Sequence, residues 1–141
     1  KSSGSTGGIA TGGTWETRDI NIIEGDNSFA SISSNQFTLE AGEYVIEARS
    51  MIMHGGIKIR LRNITDGVDI IYGSVGYAQG GAGYVVSESN LMTTFSISSQ
   101  KTFEIQYYND TSNGVSNALG NGGLGDGEVE VFTQAKVMKL R

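Results

Sequence analysis

Short runs of β-branched and aromatic residues recur along this chain, separated by clusters of Gly, Asn, Asp and Ser, which is the spacing of antiparallel β-structure. No stretch carries a 3.6-residue apolar period, and Ala, Leu, Glu and Lys do not fill the runs as they would fill a helix. The pattern predicts strands over 15–23, 29–32, 36–39, 43–54, 57–64, 68–75, 84–97 with a break near Ser89, 101–109 and 128–140. Within the fourth run Tyr44, Ile46 and Ala48 alternate with Glu47 and Arg49, the signature of a sheet with one face on a core. The fifth alternates Ile57, Ile59 and Leu61 with Lys58, Arg60 and Arg62, and Thr65-Asp66-Gly67 supplies the turn to the sixth. Antiparallel strands with no helix to cover them point to an all-β sandwich or barrel, of which a two-sheet jelly roll manages its edges best.

Some runs are apolar on both faces. Met92 opposes the phase of Leu91, Thr93, Phe95 and Ile97, and Tyr108 follows the in-phase Phe103, Ile105 and Tyr107. In the last run Phe132, Met138 and Leu140 oppose Val129, Val131, Ala135 and Val137. A strand apolar on both sides is covered on both sides, and in a helix-free chain the second cover is expected to be another copy of itself. The chain has 141 residues, enough for one domain, and no Cys, so its cohesion must come from packing and hydrogen bonds. Its net charge of −5 has the wrong sign for a phosphate backbone, so no nucleic-acid partner is expected. No apolar run approaches a membrane span, so no membrane insertion is expected either. Residues 1–14, a Gly/Ser/Thr tract, read as a flexible tether, and 15–141 as the folded head. Opening on Lys1 rather than Met, the chain is expected to continue upstream.

Gly73 to Gly83 and Gly114 to Gly127 hold five and six glycines and are expected to form long loops, which in a compact domain tend to serve function. Within the second, Gly120-Asn121-Gly122-Gly123-Leu124-Gly125 fits the dinucleotide fingerprint, but a strand follows it where a helix is needed. Gly114-Val115-Ser116-Asn117-Ala118 lacks the last glycine of a nucleophile elbow. His54, the sole histidine, has no ligand partner at metal spacing, and a calcium loop counted from Asn109 would place its bidentate acid at Gly120. No catalytic residue, metal or cofactor is therefore expected. What remains is a binding surface: Tyr77, Gln79, Tyr84, Asn109, Asn113, Asn117 and Asn121 on the two loops and the turn at 109–114, side chains suited to stacking on and hydrogen-bonding a sugar or a protein.

Ser33-Ser34-Asn35-Gln36-Phe37-Thr38-Leu39, followed by Ala41-Gly42-Glu43-Tyr44-Val45-Ile46-Glu47-Ala48, resembles the C-terminal domains of bacteriophage tail fibres and related tail proteins. Leu61-Arg62-Asn63-Ile64-Thr65-Asp66-Gly67, the stretch from Ser98 to Gln106 and Gly127-Glu128-Val129-Glu130-Val131-Phe132-Thr133 continue the resemblance in order. That family is similar to the trimeric jelly-roll heads of tumour necrosis factor and complement C1q. The resemblance implies a homotrimer, with Met92, Tyr107, Tyr108, Phe132, Met138 and Leu140 toward the axis and Tyr44, Ile46 and Ala48 in the core. It further implies a non-enzymatic receptor-binding tip at the distal end of a virion's tail fibre, its partners a bacterial cell-surface receptor and an upstream fibre shaft. Glu40 stands where the family often has Pro. A purely structural head that trimerises and caps a fibre is the other reading, and a glycan depolymerase with facing carboxylates a third.

Overall fold

The computed structural model describes residues 1–78, 85–110, 117–122 and 125–141. Among them run nine strands and no helix: β1 (Trp15–Thr17), β2 (Ala30–Ser33), β3 (Gln36–Leu39), β4 (Gly42–Ile52), β5 (Gly55–Asn63), β6 (Val68–Ala78), β7 (Ser87–Ile97), β8 (Lys101–Asn109) and β9 (Thr133–Lys139). A large, six-stranded sheet has the order β2-β3-β8-β5-β6, with β1 also on β8, and a small, three-stranded sheet has the order β7-β4-β9. All pairings between these strands are antiparallel. One edge of β8 takes β3 along its first residues and β1 along its last, so the two short strands lie in tandem beside one long one. From β3 onward every connection passes from one sheet to the other, except the β5–β6 hairpin.

The alternation read from the sequence decides what the layers bury. Tyr44, Ile46 and Ala48 of β4 face Ile57, Ile59 and Leu61 of β5 and Phe103, Ile105 and Tyr107 of β8 across a continuous core. Aromatic rings knit it: Phe37 stacks on Phe103 with centroids 5.6 Å apart, and Phe95 lies 5.3 Å from Phe103 and 5.8 Å from Tyr44. Each such side chain, moved fully from water to the interior, contributes about 1.5–3 kcal/mol. The β2–β3 hairpin turns on Ser34 and Asn35, both left-handed at φ 52° and 63°, the geometry whose twist matches that of the strands it joins.

Several segments depart from the sequence reading, each for a physical reason. The strand expected over 68–75 runs on to Ala78, so the start of the glycine-rich stretch from Gly73, expected as a loop, is part of β6. Gly73 and Gly76 are there because the sheets cross closely: a Cβ on Gly73 would stand 2.7 Å from the Asn90 carbonyl oxygen, and one on Gly76 2.5 Å from that of Glu88. The break expected near Ser89 does not occur. Ser89 is buried within β7, where its hydroxyl accepts the Ile59 amide at 2.9 Å and donates to the Ser74 carbonyl. β1 ends at Thr17 because Arg18 turns inward, its Nε donating to Thr133 Oγ1 at 2.8 Å and Nη2 to the Leu119 carbonyl at 3.3 Å. β9 begins only at Thr133, since Phe132 is committed inward against Gly120.

The tract 1–14, expected as a flexible tether, is instead tied to the body. Ala10 is wholly buried, Gly7 N–H donates to the Gly120 carbonyl, Leu119 N–H to that of Gly8, and Gly12 bridges to Asn109. Its small residues are what let the backbone lie this close.

Candidate binding surfaces

The side chains expected to meet a receptor separate in space. Tyr77, the last residue but one of β6, lies beside Gly56 and is 63% exposed, while Asn121 is exposed just beyond the 117–119 turn. Asn109 is a correction: it is fully buried, in the inward phase of β8, and its Nδ2 donates to the His54 carbonyl at 3.1 Å, which pins the bend at 53–54 between β4 and β5. Asn117 is half-buried, and its carbonyl accepts the Gly120 amide at 3.0 Å. Gln79, Tyr84 and Asn113 lie outside the described residues. Among the described residues no three His, Cys, Asp or Glu side chains gather at a spacing that holds a metal ion.

The residues expected at a subunit contact divide likewise. Met92, at 69% exposure, and Met138 stand on the outer face of the small sheet, with half-buried Val45 directly opposite Met138 in register. Leu140, just past β9 in the same phase as Met138, is exposed too. Tyr107 and Phe132 are corrections. Tyr107, 3% exposed, belongs to the chain's own core with the Arg18 guanidinium 5.5 Å from its ring centroid, and Phe132 is buried against Gly120. Tyr108 takes the opposite phase and emerges on the outer face of the large sheet.

That outer face carries an ordered network of rings and charges. Register sets Trp15, Tyr108, Lys58 and Val75 in one row across β1, β8, β5 and β6, then Thr17, Gln106, Arg60 and Tyr72, then Glu104, Arg62 and Asp69. The Trp15 ring lies 5.6 Å from Tyr108 and 5.8 Å from Tyr72, and it carries the Arg60 guanidinium 4.2 Å from its centroid. Arg60 is held from both sides, Nε and Nη2 donating to Gln106 Oε1 at 2.9 and 2.7 Å and Nη1 to Asp69 Oδ2 at 2.8 Å. Asp69 also accepts Arg62 Nη1 at 2.7 Å and the Tyr72 hydroxyl at 2.6 Å. Partial burial pushes the Asp69 carboxyl up, but hydrogen bonds from Tyr72 and Arg62 and the charges of both arginines together hold it below its ordinary value. Glu104 behaves the same way: burial raises it, and donors from Gln36, Gln106 and Thr17 with the charge of Arg62 outweigh that.

Lys58, Arg60 and Arg62 alternate plainly along the sequence, but nothing local to them marks a site. Trp15 served only to mark where the folded part begins. The signal was present in phase: Trp15 and Thr17 on one strand, three cations on another, and Tyr72 after the hairpin. What the pattern did not contain is the pairing of β1 with the end of β8, which lays the indole over β5.

A cleft of about 800 Å³ opens between the sheets beside β9, its walls including Ile20, Ile22, Ile23, Val129 and Val131. Arg18 lies in its wall, and burial pushes the guanidinium down to about 10 against the opposing pull of Tyr107 and Asp19. Compared with known proteins, the chain matches no family model and no curated protein.

Proposed function

We propose that this chain is the receptor-binding head of a phage tail fibre, a homotrimer of jelly rolls that recognises a bacterial surface without chemistry of its own. The observation that carries the reading is a pair of exposed methionines on the small sheet's outward face, set against the fixed rings and charges on the large sheet's. The small sheet turns Met92, Val45 and Met138 to the outside among Glu47, Arg49 and Lys136, apolar groups and charges that a sister copy would cover and pair, whereas the large sheet turns out rings and charges already fixed by one another. Packed through the small sheets, copies would present the large sheets outward. The strand order supports the jelly-roll reading, since successive strands after β3 shuttle between layers around a single hairpin. The non-enzymatic reading is supported by Asp69 and Glu104, whose oxygens are taken up by internal donors and so are poorly placed to act on a substrate.

Three modest sites on one rigid body gain strength through effective concentration, which suits reversible sampling of a cell surface. The test is adsorption competition. Purified domain added to host bacteria before phage carrying this chain is expected to lower attachment in proportion to its occupancy. Sedimentation at nanomolar protein is expected to find trimers. Undiminished attachment under excess trimer would leave a capping head as the better reading, and stable folded single chains would remove the trimer.

A further inference from the structure

We propose that the Trp15–Tyr72–Tyr108 face of the large sheet is a saccharide platform that takes a carboxylate-bearing glycan, with Lys58 as the group that reads the acid. The proposal rests on the receptor-binding reading and names the ligand class and the surface. A pyranose has an apolar face of C–H groups and a rim of hydroxyls, so it needs an aromatic plane with polar groups beside it. This face supplies both, and supplies them in fixed positions: Trp15 is braced by Arg60, Arg60 by Gln106 and Asp69, and Tyr72 by its hydroxyl on Asp69. A surface ordered in advance spares the ligand the cost of ordering it. Tyr72 remains 48% exposed in spite of these bonds.

Charge selects among sugars. Lys58, Arg60 and Arg62 share this face with Asp69 and Glu104, and Asp110 stands at its end beside Gly56. Asp69 and Glu104 accept from donors of the chain itself, Asp110 accepts the Gly56 amide, and Arg60 and Arg62 donate to the chain's own acceptors. Lys58 differs: among the described residues it makes no ion pair, and its Nζ rests 5.0 Å from the centroid of the Tyr72 ring. A sugar stacked on that ring therefore brings a ring carboxylate within reach of an ammonium that has no anion of its own. A neutral sugar leaves this charge unanswered.

Trp15, the chain's one tryptophan, makes the experiment direct, because any ligand stacked on this face alters its emission. Oligosaccharides of glucuronate, galacturonate and mannuronate are titrated into the intact domain, each beside its carboxyl-reduced counterpart. Saturable change with at least one acidic oligosaccharide, and weaker binding of its reduced form, is expected. Val75 pairs with Lys58 in register and is 73% exposed, so Val75→Glu supplies Lys58 with an internal anion at little structural cost. That variant is expected to bind the acidic glycan up to about fivefold more weakly, the worth of one exposed ion pair, with an unchanged melting temperature. Lys58→Met is expected to do the same.

No response to any acidic saccharide, equal affinity for the reduced sugars, or an unaffected Val75→Glu variant would overturn the proposal, as would response only to a single-stranded oligonucleotide. In the adsorption assay the two readings come apart. If wild-type domain blocks attachment and Val75→Glu domain blocks it equally, the platform fails and the receptor-binding head stands. If wild-type domain does not block, the head fails whatever the sugars do.

Discussion

Asp69 shows how one side chain holds a surface in place. Its two oxygens take Arg60, Arg62 and the Tyr72 hydroxyl, so Asp69→Asn leaves half-buried guanidinium groups without their counter-charge. The expected cost is about 1–3 kcal/mol in urea unfolding at neutral pH. Because the folded carboxyl sits below its ordinary value, its stabilisation is present in full above the unfolded pKa and is lost as pH falls through the folded one. The gap between wild type and Asp69→Asn is therefore expected to narrow in acid below about pH 4. Gly76 acts by absence. Gly76→Ala would press a methyl group to 2.5 Å of the Glu88 carbonyl oxygen, and a loss of about 1–3 kcal/mol, read as a lower melting temperature, is expected.

At the scale of elements, the β2–β3 hairpin depends on two residues that accept a left-handed backbone. Asn35→Val is expected to cost about 1–2 kcal/mol, whereas Asn35→Gly is expected to fold at least as well, a contrast thermal melts can read. Strand positions were the part of this molecule most open to reading from its sequence, because a period of two is a local property. Every predicted strand is present, with ends displaced where something distant intervenes. Arg18 cuts short the first by reaching Thr133, far along the chain. Glycine misled for a related reason: at 73 and 76 it marks where another strand crosses, and no local pattern separates that from a turn. Phase was legible, but ownership of a face was not. Tyr107 and Tyr108 both read as apolar, and only the packing assigns the first to the chain's own interior and the second to a surface ladder.

For the whole molecule, the proposed function assigns association to the small sheet and recognition to the large one, and each assignment can be tested alone. Replacing Met92 and Met138 together by Glu is expected to shift sedimentation from trimer to monomer at equal concentration. The circular dichroism should stay as it is, since both side chains stand clear of the core.

The hydroxyl of Ser89 reaches from the small sheet to the backbone of β5 and β6 in the large one, a polar cross-tie set among hydrocarbon. The layers therefore cannot shear past one another without giving up hydrogen bonds where water is not at hand to replace them. A load drawn along one sheet is handed to the other at that point, so the sandwich resists peeling and yields as a unit.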